Sequence, residues 1–80
     1  EGLVNQPMRL QNVRISIFFK IAEDRIKISF RSKGEIDIQH IAAKYFDGGG
    51  HRNAAGGISF ETWEKTEAKL KTIFQDFSFG

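Results

Sequence analysis

The sequence predicts a small α+β domain, a mixed β-sheet with two helices packed on one face, in the order β-β-α-β-α. Three observations predict it. Residues 13–21 and 25–32 alternate apolar and polar side chains across a short break. Residues 38–47 and 62–77 repeat apolar residues at helical spacing. The chain has 80 residues, 40% hydrophobic and 28% charged, which suits one domain around one modest core.

Residues 1–12, EGLVNQPMRLQN, sustain no period, and Pro7 disfavours a helix there. They read as a linker with an irregular or strand-like edge, Leu3 and Val4 docked, ahead of a domain over residues 13–80. In VRISIFFKI, Val13, Ile15, Ile17, Phe19 and Ile21 point one way, and Arg14, Ser16, Phe18 and Lys20 the other. RIKISFRS alternates again, with Ile26, Ile28 and Phe30 against Arg25, Lys27, Ser29 and Arg31. Two such runs predict an antiparallel hairpin with one greasy face and one cationic face. Phe18 falls on the cationic side, to be covered by another element or offered to a ligand.

Gly34 breaks the pattern, and Asp37 is placed to cap a helix starting at Ile38. Ile38, Ile41, Ala42 and Tyr45 form its apolar stripe, and Asp47 and Gly48 end it. A short strand is expected over residues 57–60, in right-handed crossover from the strand before the helix. Residues 62–77 predict the second helix, with Trp63, Leu70, Ile73, Phe74 and Phe77 on its buried face. Lys65, Lys69 and Lys71 alternate with Glu64 and Glu67 as a solvated face with i,i+4 pairs. His40 lies beside the first stripe and reads as a surface residue.

Composition narrows the function classes. The chain has no cysteine, which excludes disulfides and thiolate metal sites. No apolar run approaches a membrane span, and residues 1–10 lack a basic start followed by an apolar stretch. A cytoplasmic piece of a longer protein, with no membrane partner, is the expectation. Net charge is +2 and the pI near 9.2, a mild bias toward anionic partners. There is no HExxH, GxSxG or Walker lysine, and no histidine–carboxylate cluster at ligand spacing. No catalytic residue, metal ligand or cofactor is therefore expected within this chain.

Recognition chemistry concentrates in KYFDGGGHRNAAGG, residues 44–57. Consecutive glycines suit a bend with positive φ, or a place where a ligand or another backbone comes close. Backbone N–H groups in such a bend form a concave anion site, which Gly48, Gly49 and Gly50 would supply. His51 can donate to a phosphate oxygen, Arg52 can reach one with two parallel bonds, and Asn53 can read a base or a sugar hydroxyl. The bland reading is a helix stop and a turn, with His51 a bystander. The small residues on both sides of His51 weigh against a turn alone. A second candidate is RSKG, residues 31–34, at a strand end: Arg31 and Lys33 can neutralise a phosphate and Ser32 can donate to it. Its bland reading is a solvated strand end.

The string FRSKGEIDIQHIAAKYFDGGGHRNAAGG resembles the heart of the DHH-associated domain, the C-terminal half of DHH-family phosphoesterases. Within that family it is most similar to the bifunctional oligoribonuclease and PAP phosphatase group, which is exopolyphosphatase-related. EGLVN resembles the segment that leads into this domain, so the likeness spans nearly the whole chain. The resemblance implies a metal-binding N-terminal domain, absent from this chain, that holds divalent metal, manganese in the family. It implies that Gly48, Gly49, Gly50 and His51 line a cleft against that domain and contact phosphate or a terminal nucleotide. Arg31 and Ser32 match a second substrate-binding strand end, and Arg52 and Asn53 fall inside the motif. The implied partners are a short oligonucleotide or nucleotide phosphate and the catalytic domain of the same chain. Competing readings are an autonomous single-strand binder resembling KH domains, the associated domain of alanyl-tRNA synthetases, and a purely structural module.

Overall fold

The computed structural model describes residues 5–10 and 14–75, with side chains described from residue 14. Within those limits the chain forms β1 (Asn5–Leu10), β2 (Ile15–Ile21), β3 (Ile26–Ser32), α1 (Gln39–Phe46), β4 (Gly49–His51), β5 (Ala54–Ser59) and α2 (Trp63–Gln75). The strands make one sheet in the order β1-β2-β3-β5-β4, and every pairing is antiparallel. Leu3, Val4, Val13 and Phe77 lie outside the described residues.

The α+β class and the two helices on one face match the sequence reading. The N-terminal segment takes its strand-like alternative, pairing with β2 from Asn5↔Lys20 to Leu10↔Ile15. Two details differ. The sheet is antiparallel throughout rather than mixed, and the expected parallel crossover is missing. The cause is an extra reversal: α1 leads into β4, and the turn at Arg52–Asn53 sends β5 back against β3. The strand also spans Ala54–Ser59 rather than residues 57–60, because the glycines and alanines themselves pair.

The covered face is built by period-two alternation. Ile15, Ile17 and Phe19 of β2 and Ile26, Ile28 and Phe30 of β3 are all buried. Burying each such side chain contributes about 1.5–3 kcal/mol. Ile41, Ala42 and Phe46 of α1 and Leu70 and Phe74 of α2 close over them, and Phe19 meets Trp63 edge-on at 4.8 Å. In α2, Thr62 caps the first turn through Lys65 N–H. Thr66, which the apolar stripe did not include, is fully buried and shares a hydrogen bond of 2.6 Å with Ser59.

Helix α1 departs from its sequence signals at two positions: it starts at Gln39 with Ile38 as an N-cap that makes no side-chain cap bond, one residue after the expected Asp37 cap, and its apolar stripe shifts at Tyr45. Asp37 Oδ1 accepts from Gln39 N–H, and Gly48 N–H donates to Ala42 O beyond a left-handed Asp47. Tyr45, expected in the stripe, is exposed, and Phe46 is buried in its place. Gly57 explains the exchange. A Cβ there would sit 2.5 Å from Phe46 Cβ, so the bare backbone makes the space Phe46 fills. Lys69 is half-buried rather than simply solvated. Its Nζ donates to Tyr45 O and lies 5.0 Å from the Phe46 ring centroid, tying α2 to the end of α1.

Candidate phosphate and nucleotide site

Among the described residues the sheet's second face carries no helix, and it is set out in rows by the strand register. Ser16, Arg31, Ala54 and His51 align across β2, β3, β5 and β4. The next row is Phe18, Ser29, Gly56 and Gly49, and the one after is Lys20, Lys27 and Ile58. Arg31 and His51, twenty residues apart in sequence, thus stand two strands apart on one surface, about 10 Å between backbones. Only the methyl group of Ala54 lies between them. Both are exposed, as is Arg52 at the tip of the β4–β5 hairpin.

The glycines divide by what the fold demands of them. A Cβ on Gly48 would lie 1.8 Å from Gly56 O, and Gly50 has φ +145 with Ala54 O 2.6 Å from its would-be Cβ. Packing alone requires glycine at both. Gly49 is different: a Cβ there meets nothing within 4 Å, and at Gly56 it meets only Ile28 O, at 3.4 Å. These two glycines leave a bare floor on the open face beside Arg31 and His51.

The glycine run divides between internal bonding and the open edge of the sheet. Gly48 N–H is used in the helix cap. Gly49, Gly50 and His51 form an edge strand against β5, and Gly50 O accepts from Gln39 Nε2 at 2.7 Å. Outward, the run presents a side-chain-free surface, the unpaired edge of β4 and the His51 imidazole.

Ser32 and Asn53 have a structural task. Asn53 Nδ2 lies 2.9 Å from Ser32 Oγ and 3.2 Å from both Gly34 O and Ile36 O. Ser32 Oγ donates toward Ile36 O, with Arg52 O also in range at 3.3 Å. Two backbone bonds, Ser32 N–H to Asn53 O and Ile38 N–H to Arg52 O, complete the lock. Neither Arg52 nor Asn53 has positive φ, so this two-residue turn is not one of the primed types that hairpins favour. The lock to residues 32–38 holds it in place. Sequence reasoning placed Ser32 and Asn53 in the site as ligand donors. Their observed partners also make them a frame beside Arg31 and His51. The pairing joins two motifs 21 residues apart, and local sequence carries no signal of it.

Among the described residues no group of three or more His, Cys, Asp or Glu side chains converges to hold a metal ion. No helix among the described residues is long and apolar enough to cross a membrane. The arrangement suits anion recognition: a guanidinium and an imidazole flank an uncrowded surface with a second guanidinium at its edge.

A solved exopolyphosphatase-related protein from Bacteroides fragilis superposes with a TM-score of 0.75 at 36% identity, over 82% of this chain and 19% of its own. The bifunctional oligoribonuclease and PAP phosphatase NrnA of Bacillus subtilis (strain 168) is 35% identical over 77 residues, 92% of this chain. The chain spans 24% of that relative's length. The family model of the DHHA1 domain matches residues 1–78. The chain belongs to the DHHA1 domain family.

Proposed function

We propose that this chain is the substrate-gripping domain of a DHH-type phosphoesterase that hydrolyses short oligonucleotides or nucleotide phosphates. The observation that carries the reading is the row Arg31–Ala54–His51 beside the bare backbone of Gly49 and Gly56. Phosphoryl oxygens bring negative charge to a surface where two cation-capable side chains converge and no side chain blocks close approach. Arg52 extends the same electropositive edge. Similarity to an oligoribonuclease and PAP phosphatase, and to an exopolyphosphatase-related protein, supports phosphate esters or anhydrides as the substrate class.

Hydrolysis itself belongs, in this proposal, to a preceding catalytic domain of the same chain that holds divalent metal, manganese by family resemblance. This domain contributes binding and orientation, and its His51 and Arg31 offset charge on the phosphoryl oxygens. No feature of the described fold favours the KH-like alternative, since the glycines lie in an edge strand and not in a clamp loop.

The test is a kinetic comparison in the full-length protein. His51→Ala lowers kcat/KM by about tenfold to a hundredfold, the range for losing one hydrogen bond to a charged group, with bound metal unchanged. The isolated chain, given manganese and a dinucleotide, shows no turnover. Unchanged kinetics in the variant, or turnover by the isolated chain, refutes the assignment.

A further inference from the structure

We infer that the open sheet face beyond Arg31 is a track for a single-stranded oligonucleotide, in which Phe18 stacks a base and Lys20 and Lys27 hold phosphates. The inference rests on the reading above and extends it from the terminal phosphate to the body of the substrate. Phe18 stands in the row next to Arg31 and is 41% exposed. Beside it Ser29 and Gly56 keep the surface low. Lys20 and Lys27 lie directly opposite each other in the following row, and with Phe18 and Ser29 they line a shallow depression.

Like charges directly opposite on neighbouring strands destabilise a sheet. Among the described residues neither lysine has a carboxylate partner; the ion pairs there are Arg25–Asp24 and Lys71–Glu67. None of the paired positions that β2, β3 and β5 present on this face is acidic. The face therefore complements a polyanion, and an aromatic ring among its cations distinguishes a nucleic acid from polyphosphate. Exposed rings stack any base, while lysines follow the backbone without reading sequence. From the Arg31 row to the Lys20 row is four strand residues, about 14 Å, which is longer than a single phosphate needs.

The experiment uses the full-length protein with divalent metal chelated, so that nothing is hydrolysed. Binding of a fluorescently labelled hexa-adenylate is read by anisotropy, and adenosine 3′,5′-bisphosphate serves as the short probe. Phe18→Ala weakens hexa-adenylate binding about tenfold, and Phe18→Trp preserves it. Lys20→Ala/Lys27→Ala flattens the log–log salt dependence by about 1.4, the share of two phosphate contacts on a single strand. Bisphosphate binding stays within about twofold in each variant, because that probe ends at the Arg31–His51 row. The double lysine variant removes a repulsive pair and so keeps its fold.

Equal weakening of both probes, or no change with hexa-adenylate, overturns the inference. So does a Phe18→Ala variant that melts earlier yet binds hexa-adenylate as before, since Phe18 would then be packing against another domain. Binding to phosphatidylserine vesicles that the lysine variant abolishes, with hexa-adenylate binding intact, assigns the face to lipid and also overturns it. If the parent protein binds neither probe, the proposed function falls as well.

Discussion

Replacing Asn53 by aspartate keeps the side chain's shape and reverses its hydrogen-bonding sense. The amide nitrogen faces three acceptors, Ser32 Oγ at 2.9 Å and Gly34 O and Ile36 O at 3.2 Å. Its two N–H groups form bonds worth about 0.5–1.5 kcal/mol each, so their loss costs about 1–3 kcal/mol. An introduced carboxylate would also turn a negative oxygen toward carbonyl oxygens. Asn53 is half-buried, so water relieves part of that penalty. We expect Asn53→Asp to lose about 2–3 kcal/mol at pH 7. A domain this small has roughly 4–12 kcal/mol in total. The midpoint of thermal unfolding would fall by at least about 10 °C. Surrounding acceptors raise the folded-state pKa of the introduced carboxyl above its unfolded value, so the folded variant binds more protons. Its deficit therefore shrinks as pH falls through that folded pKa. Urea unfolding at pH 7 and at lower pH measures both effects. A variant as stable as the parent at neutral pH would mean that the amide holds nothing, and the account of the hairpin's lock would fail.

Three further outcomes follow from particular contacts. Gly48→Ala drives a methyl group into Gly56 O and loses about 1–3 kcal/mol or more, whereas Gly49→Ala is neutral or stabilising because its Cβ meets open space. The same Gly49→Ala change, introduced into the full-length protein, lowers kcat/KM if the bare floor receives substrate; equal stability loss in the two variants would contradict this division of the glycines. Thr66→Val keeps the volume of a fully buried side chain but removes the hydroxyl bonded to Ser59, costing about 1–2 kcal/mol in denaturant unfolding. No loss would mean that the buried Ser59–Thr66 bond contributes nothing.

Much of this protein is legible in the order of its residues. Period-two alternation in ISIFFKI and IKISFRS assigned every side chain of β2 and β3 to its face, because a strand has only two faces. Helical spacing found α1 and α2, since each has one apolar stripe to bury. The string around His51 marks the candidate site, because so many small residues beside an imidazole have little use in a plain turn. Phe18 stood out as an aromatic on the wrong side of its strand, and the fold leaves it exposed.

Tertiary structure decided what depends on residues far apart in sequence. It turned Gly49–His51 into an edge strand and gave the Gly48 amide to the cap of α1. It joined Ser32 to Asn53 across 21 residues of sequence. It chose Phe46 over Tyr45 for the core, because the missing side chain of Gly57 left room on one side of the helix end. Local periodicity reports which way a side chain points. Only the packed chain determines what waits there to meet it: Gln39 meets a partner eleven residues away and Lys69 one twenty-four residues away.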